Sequence, residues 1–227
     1  MKILVIADIH GDMEALDRIL ADAAAERADI VLCPGDFTDM HSPNTVFSQG
    51  DICEMVVQKL LAHNKNLLCV PGNQDPYETL AILDEYGVNL HGRTRKVHSL
   101  IFAGWGGALT PFNTLFEPTN EETKEALDRI AHKLAGMDFV MLVHNPPKDT
   151  KLDLTSSGQH VGSPEVRSFV EKAQPSLLIS AHIHESGAVD RISNSRLFYP
   201  GPAFEGNYGI VTLEKGVCEC VVKKARR

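Results

Sequence analysis

No stretch of the 227 residues approaches the ~20 consecutive apolar residues that a membrane-spanning helix needs. The apolar run at the N-terminus covers only Ile3 to Ala7 before Asp8 intervenes, too short for the h-region of a secretory signal. A cytoplasmic protein without a membrane partner is the resulting expectation. Basic charge is also scarce: 22 Lys and Arg stand against 30 Asp and Glu, giving a net charge of −8. The one basic cluster, Lys223, Lys224, Arg226 and Arg227, reads as a solvated tail, so a nucleic-acid surface is not expected. No C-x-x-C pair occurs, and the five cysteines are odd in number. Cys33 and Cys69 fall inside apolar runs and read as small core side chains rather than metal ligands or disulfide partners, which fits a reducing compartment. With no internal repeat and no low-complexity linker, a single domain over residues 1–227 is the simplest organisation.

What the chain does have is alternation. Lys2 to Ala7 is a continuous apolar run, as in a buried parallel strand. After Asp12 the apolar residues Met13, Leu16, Ile19, Leu20 and Ala23 recur at helical spacing. Ile30 to Cys33 is a second strand stopped by Pro34-Gly35, and a polar loop with Ser42, Pro43 and Asn44 follows. Asp51 can N-cap a helix with Ile52, Met55, Val56 and Leu60 on its apolar face. Leu67 to Val70 is a third strand, stopped by Pro71-Gly72 and followed by a helix from about Pro76 to Tyr86. This order predicts parallel βαβ units.

Further along, Val97 to Gly104 reads as one or two strands, and Trp105 to Asn120 as a long loop. A helix is predicted over Glu121 to Leu134, a strand over Phe139 to Val143, a second long loop over 145–163, a helix from Ser163-Pro164 to about Ala173 and a strand over Leu177 to Ser180. Short strands over 187–192, 196–199, 208–213 and 217–222 read as antiparallel.

Polar residues sit where these strands stop. Asp8-Ile9-His10 follows the first strand, Gly35-Asp36 the second and Gly72-Asn73 the third. His144 and His182-Ile183-His184 follow two later ones. In open α/β sheets ligands bind outside the carboxyl ends of the strands. In an extended segment D-x-H and H-x-H each send two side chains to one side. A pair of divalent cations held about 3.5–4 Å apart needs several such ligands and one that bridges, for which a carboxylate is suited. Carboxylate, carboxamide and imidazole donors fit Mn, Fe or Zn. The remaining histidines lack this placement, although His41, in the loop after Asp36, lies within reach of the site.

The ordered set Asp8-Ile9-His10, Gly35-Asp36, Gly72-Asn73, His144 and His182-Ile183-His184 resembles the calcineurin-like metallophosphoesterase superfamily, in particular its small prokaryotic-type phosphodiesterases. The resemblance implies an α/β/β/α four-layer sandwich of two mixed sheets flanked by helices. It implies one metal held by Asp8, His10, Asp36 and His184 and a second held by Asp36, Asn73, His144 and His182, with Asp36 bridging. It further implies hydrolysis of a small phosphate ester by a metal-activated water, with Asp36 and Asn73 as catalytic residues and Asn73 also touching the phosphate.

Two family features are missing. Met40 stands where the protein Ser/Thr phosphatases have an Arg after G-D-x-x-D, which disfavours that subfamily. Asp39, in the same run, is a candidate either to order a ligand or to cap the loop. Gln74 stands where many members have a His that contacts the phosphate and protonates the leaving group; a carboxamide can donate a hydrogen bond but is no general acid. A phosphodiesterase is the reading these features favour. A nuclease, which would need more basic surface, and a non-catalytic scaffold such as the retromer subunit of this fold are the alternatives. The scaffold reading has the complete ligand set against it.

Overall fold

The computed structural model of the chain describes residues 1–41, 46–214 and 217–226; the loop residues Ser42, Pro43 and Asn44 and the tail residue Arg227 lie outside them. β1 (Lys2–Val5), β2 (Ile30–Cys33) and β3 (Leu67–Cys69) pair in parallel, as the βαβ pattern requires. α1 (Met13–Ala23) and α2 (Gln49–His63) make the crossovers between them, and α3 (Thr79–Glu85) follows β3. β10 (Asn207–Glu214) and β11 (Val217–Lys224) extend this first sheet on the far side of β1, in the order β11-β10-β1-β2-β3. The second sheet has the order β4-β5-β6-β7-β9-β8. It comprises β4 (Thr94–Val97), β5 (Leu100–Trp105), β6 (Phe139–Val143), β7 (Leu177–Ile179), β8 (Ala188–Ile192) and β9 (Ser195–Tyr199). α4 (Asn120–Lys133) and α5 (Pro164–Ala173) connect its parallel strands β5, β6 and β7.

Strand alternation builds the layers. Ile3, Val5, Ile30 and Leu32 of the first sheet meet Phe102, Val140, Leu142 and Ile179 of the second in the central layer. The intervening residues Leu4, Ile6, Val31 and Cys33 face α1 and α2. On the other side Phe139, Met141 and Val143 face Leu127 and Ile130 of α4 and Val166 and Phe169 of α5. The result is the expected α/β/β/α sandwich of two mixed sheets. A one-residue slip in β1 would exchange its two faces, and each fully buried Ile or Leu contributes about 1.5–3 kcal/mol, so register is tightly held.

Three local expectations are corrected, and the one or two strands expected over Val97 to Gly104 are found as two, with wider bounds. Asp51 is not the N-cap of α2; Ser48 is, and Asp51 is its reciprocal partner three residues on in a capping box. The α-helix expected from Pro76 begins at Thr79, and Pro76 and Tyr77 form a preceding turn whose carbonyls accept from Thr79 and Leu80. Residues 94–105 form a hairpin, β4 and β5, reversing at His98 with φ +54°. The final strands are not all antiparallel. β9 runs parallel to β7, while β8 pairs antiparallel with β9, β10 with β1, and β11 with β10. Alternation within a strand carries no information on which of two sheets it joins.

Cys33, Cys53 and Cys69 are buried free thiols in the core. No helix among the described residues is long and apolar enough to cross a membrane.

Candidate metal centre

The loops leaving the parallel strands are stitched to one another at one end of the sandwich. Asp8 N–H donates to Gly35 O, and Ile9 and His10 N–H both donate to Asp36 O. Gly107 N–H donates to Pro71 O, His144 N–H to Trp105 O, and Ala181 N–H to His144 O. These turns require unusual backbone. Asp8, His10, Asp36 and His182 all take positive φ, between +50° and +82°, a region costly for residues other than glycine. Gly72 is needed for a different reason: a Cβ there would overlap both the backbone nitrogen and Oδ1 of Asp36.

The structure brings Asp8, His10, Asp36 and His184 together so that one ligand-type atom from each lies within 4.8 Å of the others. His10 Nε2 is 3.1 Å from His184 Nε2 and 3.5 Å from Asp36 Oδ2. The same carboxylate oxygen is 3.6 Å from His144 Nε2, which is also 2.8 Å from Asn73 Oδ1. His182 stands beside this pair, its ring centroid 5.1 Å from that of His144, and its backbone N–H donates to Asp8 Oδ1. Gln74 N–H donates to Asp36 Oδ1, and the Gln74 side-chain oxygen accepts from Met40 N–H. His41 is exposed, and its backbone N–H donates to Asp39 Oδ1, so Asp39 caps the loop.

Charge and hydrogen-bond chemistry both ask for a cation here. Asp8, Asp36 and Asp75 are buried, and among the described residues no Lys or Arg pairs with any of them. Burial raises the Asp36 carboxyl well above the ordinary range, and the charges of Asp75 and Asp8 add to it. Burial is the largest cause that pushes Asp75 up to about 7, against four opposing hydrogen bonds, two from Thr38 and one each from Phe37 and Gly72. The histidines move the other way. Burial lowers His144 to about 4, lowers His182 far below its ordinary value, and lowers His10 despite the pull of Asp8. A metal ion held by neutral imidazoles and carboxylates would supply the positive charge that protons otherwise bring to such buried acids.

His144 makes the case in detail. Its Nδ1 is 2.8 Å from the Pro34 carbonyl, which can only accept, so Nδ1 carries the hydrogen. Nε2 of the neutral ring is then a bare lone pair facing the lone pairs of Asn73 Oδ1. Two buried acceptors at that separation repel unless a cation lies against both. The donor set of carboxylate, carboxamide and imidazole suits a divalent ion of the Mn, Fe or Zn kind.

Several residues of this site carried no recognised signal. Asp75 accepts from Gly72 N–H at 2.7 Å and Thr38 N–H at 3.0 Å and so ties two ligand loops together. The Tyr199 hydroxyl, at the end of β9, donates to Asp8 Oδ2 at 2.6 Å. The strand-end rule that singled out the aspartates applies to this tyrosine too. Phe204 packs edge-on against both His10 and His184, with ring centroids 5.4 and 5.0 Å away. It follows Pro202 in a single helical turn, which nothing in the local pattern announces.

Fold and site together define an α/β/β/α protein with a candidate divalent-metal centre at the carboxyl ends of its parallel strands. The chain belongs to the calcineurin-like phosphoesterase family, whose family model matches residues 1–186. It is 32% identical over 208 residues to the uncharacterized protein MJ1162 of Methanocaldococcus jannaschii, an alignment covering 89% of this chain and 88% of that one. The fold is shared with TT1561 of Thermus thermophilus, at a TM-score of 0.79 and 19% identity over 99% of both chains. It is also shared with a dimetal phosphatase from Danio rerio, at a TM-score of 0.61 and 12% identity over 100% of this chain and 99% of that one.

Proposed function

We propose that the protein is a two-metal phosphodiesterase acting on a small phosphate ester. The observation that supports this most directly is the placement of Asp36 Oδ2, one carboxylate oxygen shared by two imidazoles, His10 at 3.5 Å and His144 at 3.6 Å. In this reading Asp36 bridges a first ion held with Asp8, His10 and His184 and a second held with Asn73, His144 and His182. Such ions supply positive charge for the phosphate and acidify a water toward neutral pH. Two divalent ions against the charges of Asp8 and Asp36 leave the centre net positive, so an anion is drawn in although the chain as a whole is acidic.

The chain's own residues do the positioning. Tyr199 and the His182 amide hold Asp8, and the Gln74 amide holds Asp36 Oδ1, leaving Asp36 Oδ2 turned toward the two imidazoles. One N–H of the Asn73 carboxamide donates to Thr114, leaving its second for a phosphate oxygen. Met40 offers no charge to clamp a phosphoprotein, which favours a diester over that substrate. With Met40 N–H holding the Gln74 oxygen, the Gln74 NH₂ group is the end free to donate to the phosphate.

Protein stripped with a chelator should be inactive and should regain hydrolysis of an activated aryl phosphodiester on addition of Mn. Stripping should also lower the melting temperature, since a ligand bound only by the folded state stabilises it by about 2.7 kcal/mol at a hundredfold excess over Kd. If no diester, monoester or nucleotide is cleaved with Mn, Fe or Zn, the enzyme reading is lost and a non-catalytic scaffold replaces it.

A further inference from the structure

A side-chain carboxamide has one end that binds metal and one that does not, and the two are nearly the same size. Asn73 contributes to a metal centre only if its oxygen, and not its NH₂ group, faces His144. Nothing in the Asn73 backbone enforces this. The loop between β5 and α4 does, through a chain of hydrogen bonds whose direction is forced at every link.

The chain begins at Glu117. Its Oε1 accepts from the hydroxyl of Thr110 at 2.6 Å, from Thr114 N–H at 2.8 Å and from the Thr114 hydroxyl at 2.6 Å. Three donors on one oxygen suit an ionised carboxylate, which has no hydrogen to give back. The single hydroxyl hydrogen of Thr114 is therefore committed to Glu117. Toward Asn73 the Thr114 oxygen can only accept, and it does so from Asn73 Nδ2 at 3.1 Å. With the NH₂ group held on that side, Oδ1 is turned to the other, 2.8 Å from His144 Nε2. The same loop grips residue 73 by its backbone as well, with Leu115 and Phe116 N–H both donating to the Asn73 carbonyl at 2.9 Å.

A flipped Asn73 would place its NH₂ group against His144 Nε2, forming a hydrogen bond and closing the site to a cation. It would also set two oxygens, Asn73 Oδ1 and Thr114 Oγ1, against each other with no hydrogen between them. We propose that Glu117 and Thr114 are positioning residues that lock the carboxamide of Asn73 in its metal-binding orientation, so that affinity for the second ion depends on them. This rests on the two-metal reading given above. It makes the loop a functional part of the metal centre although none of its side chains is among the ligand residues.

Calorimetric titration of the metal-stripped full chain with Mn tests this. The native protein should bind two ions. Thr114→Val keeps the shape of the side chain but removes the acceptor, and should weaken one of the two sites by about 10–100-fold, as loss of an orienting partner does at other metal centres. The other site should keep its affinity, and Thr114→Ser, which restores the hydroxyl, should restore the weakened one. Circular dichroism of the stripped proteins checks folding. If Thr114→Val is unfolded, Glu117→Ala gives the same comparison: it frees the Thr114 hydroxyl to donate to Asn73 Oδ1 and should weaken the same site, with Glu117→Gln restoring it. Two native sites with neither weakened in a folded variant would overturn the lock. A native protein that binds a single ion would instead overturn the two-metal reading, and the lock with it.

Discussion

Asp36→Asn is expected to abolish binding of both Mn ions and to lower kcat/KM for an aryl phosphodiester by about 10³-fold or more, the scale of several kcal/mol of lost charge stabilisation. The carboxylate has no substitute. Its Oδ2 is close to both His10 and His144, and its Oδ1 is already taken by Gln74 N–H. A carboxamide at this position would have one oxygen and no charge, and it would set an NH₂ group against either Gln74 N–H or the imidazoles. The metal-free variant, by contrast, should be no less stable than the metal-free native protein. It no longer buries a carboxylate beside Asp8 and Asp75 with no Lys or Arg partner among the described residues. Elemental analysis after Mn loading, read beside melting temperatures with and without chelator, checks both halves. A variant that keeps two ions would show that Asp36 does not bridge them.

The second large effect concerns the leaving group. Gln74→His should raise kcat/KM for alkyl phosphodiesters by about 10²-fold while changing good aryl substrates little, because general acid catalysis contributes about 10²–10⁴-fold where proton transfer limits the rate. The neighbourhood is already suited to an imidazole. Met40 N–H, which now donates to the Gln74 oxygen, would take the lone pair of one ring nitrogen and leave the hydrogen on the other. The native protein, lacking an acid at this position, should show a steep dependence of rate on leaving-group pKa, and the variant a flatter one. A series of aryl and alkyl esters at matched metal content gives both slopes. Parallel slopes would remove position 74 from leaving-group protonation.

The sequence disclosed the parallel half of the molecule better than the rest. Apolar runs ended by Pro34-Gly35 and Pro71-Gly72 mark β2 and β3, and the change to helical spacing after Asp12 marks α1, because each feature is local. The same locality placed Asp8, Asp36, Asn73, His144 and His182 just past strand ends. What could not be read is whatever depends on two distant segments meeting. The assignment of β9 and β10 to different sheets is of this kind. So are the hydrogen bond from Tyr199 to Asp8 and the contact of Phe204 with His10 and His184. The loop over 105–120 showed only its length and its Gly, Pro and Thr content, and nothing in that composition distinguishes Thr114, bonded to Asn73, from its exposed neighbour Asn113. Asp75 lay within view, two residues past Asn73, but its role as anchor for Gly72 and Thr38 requires both turns to be in place.

The wide spread of the metal-centre residues along the chain sets when the centre can exist. His10 and His184 are 174 positions apart, and Asp8 and Tyr199 are 191 apart. The pairing of β1 with β10, Lys2 opposite Thr212, closes a loop at least as long, so the centre cannot precede completion of the first sheet. We expect the strand-end turns, which hold Asp8, His10, Asp36 and His182 at the costly positive φ, to be completed after the transition state for folding. Metal binding then acts on the native side of the barrier. In stopped-flow chevrons, added Mn should slow unfolding and leave the refolding arm where it is. The protein would owe its lifetime in a folded state to the ions without owing them its ability to fold.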